Sequence, residues 1–452
     1  MQHRVYTKRW IILALVAALL LASCGPAATP DPSMATDTPA RTPKPTFTPQ
    51  PGEPATPADA ATPTDEGVSA AEATLAPTMT VAAAGPASTD EPTAVPATAT
   101  PSPVKSLRMD SPEYGMQIFP WWRPEVGSRD FQVVAEAGFS WAKVNFGWRE
   151  IEGAGKGVFD WSRTDEIVRM AAENDIDLVI RVDHQPAWAG GGFPVNGPPD
   201  DYQDLADFFT AMATRYRGRV RAYQVWNEPN LAREWGGRLP DPGQYAKLLR
   251  VCYQAIKAAD PNAMVISAGL SPTGTWNEQA RPDDWYLESM YIAMNEALGS
   301  SDGYFDVLGA HAPGFKSPPE RDPAQVAADP DLGGQRAFAF RRVEDLRAIM
   351  VKYGDANKQV AILEFGWTSD PRPDSPYNWH AVSEQVKADY LVRAYQYARD
   401  NWSPWIGLMS LIYICDHDWT PEDEQYWWSI SDPGWPEFKP RPAYTALKQM
   451  AK

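Results

Sequence analysis

The sequence predicts an α/β chain folded as a (β/α)8 TIM barrel, and three observations predict it. From residue 114 onward, short apolar runs alternate with amphipathic stretches of helical period. The runs are apolar on both faces, as strands of a covered parallel sheet must be. Eight strand–helix units follow one another in order, which suits a closed barrel with right-handed crossovers. A doubly wound open sheet is the alternative. It fits less well because Phe119-Pro120-Trp121-Trp122 follows the first strand, where a glycine-rich phosphate loop would stand.

The units read as follows. Strand 115–119 leads to helix 128–137, and strand 139–146 to helix 164–174. Strand 177–183, Asp-Leu-Val-Ile-Arg-Val-Asp, leads to helix 201–216. Strand 221–226 leads to helix 242–259, with Asp241 placed to accept from the open N–H groups of its first turn. Strand 263–268 precedes helix 283–298, and strand 305–310 precedes helix 335–353. Strand 359–365 precedes helix 383–400. The last apolar run, 406–414, is followed by a closing helix at 442–450.

The chain ahead of the barrel is of another kind. Of 452 residues 44 are proline, and 17 of them crowd into residues 25–104 with Thr and Ala. A segment with so few large apolar groups cannot bury enough surface to offset the entropy of ordering. Residues 24–106 therefore read as a disordered Pro/Thr/Ala-rich tether, with an r.m.s. reach of about 50 Å, and residues 107–452 as the barrel domain. Residues 1–23 read as a signal peptide: His3, Arg4, Lys8 and Arg9 precede a short apolar run, too short for a membrane span. That run ends in Leu21-Ala22-Ser23-Cys24-Gly25, which resembles a bacterial lipobox. The resemblance implies an exported lipoprotein, lipidated at Cys24 and anchored to the membrane or envelope, with the barrel outside the cytoplasm.

A formal net charge of −17 excludes the positive surface that nucleic acid requires. With only Cys252 and Cys415 besides Cys24, two separate buried thiols are expected rather than a disulfide framework. A monomer is expected.

In such a barrel the chemistry lies at the C-terminal ends of the strands. Those ends carry Asp183-His184, Asn227-Glu228, His311, Glu364 and Asp416-His417-Asp418, with Trp148, Trp188, Trp367 and Trp419 just beyond them. Carboxylates bind sugar hydroxyls and indole faces stack on sugar C–H faces, so this rim predicts a carbohydrate substrate. The Asp416-His417-Asp418 cluster lacks further ligands for a divalent ion, so no metal and no cofactor are expected.

The Asn227-Glu228-Pro229 motif after strand 4, with Glu364 ending strand 7, resembles the clan A retaining glycoside hydrolases. Residues 146–168 and Pro186-Ala187-Trp188-Ala189 are similar to the family 39-like and cellulase-like members. The resemblance spans residues 114–452. It implies an O-glycosyl hydrolase working by double displacement on an oligo- or polysaccharide. Glu228 would be the general acid/base, Glu364 the nucleophile, and Asn227 the partner of the sugar 2-hydroxyl. His311 would bond the sugar or the nucleophile. Relatives often carry a Tyr two residues after that His. Pro313 stands there, so Tyr413 is a candidate partner for Glu364. Where relatives often carry an Arg on strand 2, Lys143 stands, a point charge without a planar fork. Asp183 and His184 either line a sugar subsite or bracket a tight loop; Trp148, Trp188 and Trp419 are candidate sugar platforms. A non-catalytic carbohydrate-binding surface protein and a transglycosylase on the same barrel are the alternatives.

Overall fold

The computed structural model describes residues 106–452. The expected signal peptide, Cys24 and nearly all of the tether lie outside the described residues. Eight parallel strands close a barrel in sequence order. They are β1 (Glu113–Gln117), β2 (Trp141–Gly147), β3 (Asp177–Asp183) and β4 (Ala222–Val225), then β5 (Met264–Ser267), β6 (Val307–His311), β7 (Gln359–Phe365) and β8 (Ile406–Leu411). The principal helices are α1 (Pro124–Glu136), α2 (Ser162–Glu173), α3 (Tyr202–Arg215) and α4 (Pro242–Ala259), then α5 (Asp283–Leu298), α6 (Arg342–Lys352), α7 (Glu384–Asn401) and α8 (Pro442–Gln449). Among the described residues no helix is long and apolar enough to cross a membrane.

Several boundaries follow from local chemistry that the sequence displays. Asp241 accepts from the Gln244 N–H at 2.9 Å, starting α4 where expected. Ser383 does the same for α7 through the Val386 N–H. Helix α1 starts four residues earlier than the pattern suggested, with Pro124 in the first turn, where a missing N–H costs nothing. Other expectations need correction. The stretch 335–353 is not one helix. Arg336–Phe338 is a separate 3-10 turn whose Phe338 packs on Phe315 and Trp379, and α6 starts only at Arg342, which is held by Asp283. Strand β8 stops at Leu411. The residues after it leave the ladder, and Ile414 donates its N–H to the Gln117 carbonyl.

Two side-chain layers fill the barrel. At its N-terminal end Met109, Trp141, Val179, Ala222, Met264, Ile266, Val307, Ala361, Leu363 and Leu408 form an apolar plug. Side chains two residues apart share a face of a strand. The residues two and four positions on from the plug on β2, β3 and β4 are Lys143, Arg181, Asp183 and Gln224, all buried. The interior thus changes from apolar to charged within one pleat.

Strand β7 departs from this alternation. Leu363 belongs to the plug, so strict alternation would turn Glu364 outward. The pairing registers shift between Ala310 and His311 on β6 and between Ile362 and Phe365 on β7, and His311 comes to lie opposite Glu364. An irregularity of this kind re-aims a side chain. Here it brings Glu364 into the barrel mouth. The His311 ring also needs a bare backbone beside it: a Cβ on Gly269 would lie 2.1 Å from His311 Cδ2.

Candidate active site

Glu228 stands on a loop that is fixed from several sides. Trp226 and Glu228 both have positive φ, 71° and 37°, a region non-glycine residues seldom occupy. The loop tolerates this because its hydrogen bonds are many. The Glu228 N–H donates to the Gly269 carbonyl, and the Trp226 indole N–H donates to the Glu234 carbonyl. Asn230 fastens this loop to the one after β5. Its amide donates to the carbonyls of Ser271 and Arg281, and its oxygen accepts from the Ser271 N–H. The residues flanking Glu228 in the motif are therefore structural clamps, except Asn227. Asn227 is buried and its Oδ1 has no hydrogen-bond partner in the structure, an unsatisfied acceptor suited to a ligand hydroxyl.

The two glutamates meet through His311. His311 Nδ1 is 3.0 Å from Glu228 Oε1 and 3.8 Å from Glu364 Oε2. Glu364 Oε1 is 2.6 Å from Lys143 Nζ and 3.5 Å from Arg181 Nη1. Burial alone would push the Glu364 carboxyl up. Lys143, His311 and Arg181 outweigh it and hold the group below its usual range. Burial pulls the Lys143 ammonium down to about 8, although Glu364 favours its charge. Each partner thus keeps the other ionised near neutrality.

Glu228 is also held below its ordinary value. Burial and Glu364 push it up, but the bond to His311 and the charges of His311 and Arg233 prevail. Arg233 Nη2 donates to Glu228 Oε2 at 3.0 Å. An acid catalyst has to begin protonated, whereas these partners favour the carboxylate, the form required of a base.

Other expected residues fall in different places. Asp183 is engaged by protein groups. It is fully buried, 3.0 Å from Arg181 Nε and 2.6 Å from His184 Nδ1, and so aims Arg181 at Glu364. Burial pushes the Asp183 carboxyl up, but Arg181 and His184 bring it well below the usual carboxylate range. His184 has φ 61° and a backbone N–H bonded to Asn196, consistent with the tight-loop reading. Trp148 offers no face to a sugar. It is buried between barrel and helices against Trp188 and Phe208, and its N–H donates to Glu152 at 2.6 Å. Trp188 is half-buried in the same cluster and donates to the Glu152 carbonyl. Trp367 is buried as well, donating to the Ser317 carbonyl.

Tyr413 and Trp419 form an aromatic wall with Phe119, each ring 4.8–5.4 Å from the others. Trp419 is packed edge-on rather than presented flat. Burial, then Glu364, pushes the Tyr413 phenol well above its usual value, so it stays neutral. Farther along this wall lies Glu424, whose Oε1 accepts from the Trp428 indole at 3.1 Å. Burial pushes its carboxyl to about 8. Among the described residues no group of three or more His, Cys, Asp and Glu could hold a metal ion.

Sequence reasoning missed Arg181, Arg233 and Glu424. Arg181 had a signal: it lies two residues from Val179 and from Asp183, on their face of β3. Arg233 stands on a 3-10 turn and Glu424 opens a five-residue helix, both too short for a period to mark which side chain turns inward.

With this geometry the relatives are informative. The family described as Cellulase (glycosyl hydrolase family 5) matches residues 100–295. A β-xylosidase of Geobacillus stearothermophilus is 30% identical over 183 residues, 37% of this chain and 33% of that protein. This chain thus spans about a third of that relative's length. Among solved structures, a family 39 glycoside hydrolase from Bacteroides cellulosilyticus WH2 superposes with a TM-score of 0.55 at 19% identity. The match covers 75% of this chain and 64% of that one. GH5_18 from Streptomyces cattleya gives 0.54 at 16% identity, over 76% and 80% of the two chains. The chain shares the (β/α)8 barrel fold of these glycoside hydrolases. Residues 100–295 are similar in sequence to family 5, and the fold is similar to solved members of families 5 and 39.

The ion pair generates a test. Removing a cation favours the neutral acid, so Lys143→Met raises the pH at which Glu364 is protonated. The acid limb of kcat/KM for an aryl β-glycoside moves up, with at least about tenfold loss near pH 4. Leaving the carboxylate with only Arg181 and His311 also lowers stability by about 3 kcal/mol in denaturant unfolding. An unmoved limb contradicts the assignment of Lys143 as the partner of Glu364.

Proposed function

We propose that this chain is a retaining β-glycoside hydrolase acting on an oligo- or polysaccharide. The observation that carries the proposal is the position of His311 between two buried glutamates from different strands. Its two distances leave Glu228 Oε1 and Glu364 Oε2 less than about 7 Å apart. That is compatible with the roughly 5–5.5 Å carboxyl separation of retaining enzymes. A purely structural ion pair would explain Lys143 and Glu364. It would not explain a second buried carboxylate beside them or an unsatisfied Asn227.

The chemistry assigns each residue a task. Glu364 attacks the anomeric carbon as a carboxylate, while Lys143 and Arg181 fix its orientation. As the glycosidic C–O bond breaks, Glu228 gives its proton to the leaving oxygen. A glycosyl ester on Glu364 results. Glu228, now a carboxylate, takes a proton from water as the water oxygen attacks the anomeric carbon and the ester bond breaks. Asn227 bonds the 2-hydroxyl, a contact that strengthens at the transition state.

An extended substrate is supported by the loop after β5. Trp276 on this loop and Trp285 in the first turn of α5 are exposed, with ring centroids 4.6 Å apart, and the loop is hydrogen-bonded to the Glu228 loop through Asn230. Exposed indoles beside a cleft suit sugar stacking. The similarity to a β-xylosidase makes aryl β-xylosides the first substrates to test.

Glu364→Gln is expected to lower turnover by about a thousandfold or more while sugar binding persists, measured by kinetics and calorimetry in parallel. Undiminished hydrolysis would remove Glu364 from the role of nucleophile.

We also propose that the chain is exported and lipid-anchored through Cys24, so that the tether carries the barrel outside the cytoplasm. The order of basic, apolar and small residues before Cys24 supports this. Cys24→Ala should abolish labelling by radioactive palmitate and move the protein to the soluble fraction. Persistent labelling would contradict the assignment.

A further inference from the structure

Glu228 has more cation around it than an acid catalyst calls for. Oε1 faces His311 Nδ1, and Oε2 accepts from Arg233 Nη2, each at 3.0 Å. The other groups facing Glu228 are Glu364 from β7, Glu234 beside Arg233, and the Tyr413 phenol after β8. None of these three supplies a positive charge. His311 and Arg233 are therefore what hold the carboxylate.

Arg233 differs from the cations that hold Glu364. Lys143 and Arg181 have side chains only 1% and 2% exposed, whereas that of Arg233 is 34% exposed. It stands on the 3-10 turn Ala232–Glu234, which is tied to the loop after β5 by the Ala232 N–H and the Gln279 carbonyl. Its hold on the protein is also slight. Nε has no hydrogen-bond partner, and the nearest other carboxylate, Glu234 Oε1, is 3.9 Å away. Glu234 itself is bonded to Asn196 at 2.5 Å. A guanidinium with one strong bond, partly exposed at the mouth, is free to exchange that bond for a ligand hydroxyl.

We propose that Arg233 is a positioning residue that holds Glu228 as the carboxylate, and that the leaving-group sugar draws Arg233 off Oε2 before Glu228 acts as an acid. This rests on the hydrolase reading above. Once Oε2 is released, Glu228 binds one proton from solvent and passes it to the glycosidic oxygen as that C–O bond breaks. When the leaving sugar departs, Arg233 returns to Oε2 and favours the carboxylate that takes a proton from water. The residue thus biases Glu228 toward base in one half-reaction and yields in the other.

The test does not depend on turnover. The protein is prepared with ¹³C at the glutamate carboxyls, and the Glu228 resonance is assigned by its loss in Glu228→Gln. It is then titrated in wild type, Arg233→Met and Arg233→Lys. The expected result is a midpoint at higher pH in Arg233→Met, with Arg233→Lys close to wild type. Should Arg233→Met fail to fold, Arg233→Gln serves the same comparison. An unchanged midpoint in the neutral variant overturns the proposal. Kinetics on an aryl β-xyloside supply the second arm. The ratio of kcat/KM at pH 8 to that at pH 5 should rise at least about threefold in Arg233→Met. A moved resonance with an unmoved ratio overturns the release step. If wild type proves inactive on every β-glycoside, the hydrolase reading and the release step fail together. The resonance still decides whether Arg233 holds Glu228.

Discussion

A carboxylate placed inside a barrel has to be compensated, because leaving an ion unpaired in such a site costs several kcal/mol. The mouth of this barrel is organised around compensating Glu364. Lys143 reaches it from β2 at 2.6 Å and Arg181 from β3 at 3.5 Å, and Asp183 in turn fixes Arg181. His311 then links Glu364 to Glu228, which has its own cation in Arg233. Buried acids and bases alternate through the set, so no member can be removed without leaving another exposed to the same penalty. In the proposed reaction the arrangement also answers a chemical need, since a nucleophile must be ionised and held still.

The fold makes this network affordable by confining it to one layer. Below it lies the apolar plug, with Trp141 and Leu363 among its members. Outside the strands, side chains of the helices fasten the backbone. The Tyr245 hydroxyl donates to the Val225 carbonyl and accepts from the Ala268 N–H, locking β4 and β5 just behind the Glu228 loop. A rigid frame of this kind lets Trp226 and Glu228 keep unusual backbone angles, as strained positions do where the surroundings over-determine them.

Much of this could be read from the residues before any coordinates. Alternation of apolar runs and amphipathic stretches yields the barrel because each period reports directly on which face is buried. Glu228 and Glu364 stand out because they end strands. The partners were harder for definite physical reasons. Lys143 was placed at the site, but its contact with Glu364 depends on a register shift in β7 that no residue type announces. From sequence Trp148 reads as a sugar platform because an indole after a strand can turn either way; packing against Phe208 turns it outward into the helix layer. Arg233 belongs to a loop, and its direction is set by the hydrogen bonds of Asn230 and Trp226 rather than by any local pattern.

In the proposed double displacement Glu364 is the nucleophile and Glu228 the acid/base. The stereochemical consequence is open to direct observation. Proton NMR of the first product released from an aryl β-glycoside distinguishes the anomers before mutarotation. The account predicts the β-anomer, with configuration retained. Initial release of the α-anomer would mean a single displacement by water and would contradict the role given to Glu364.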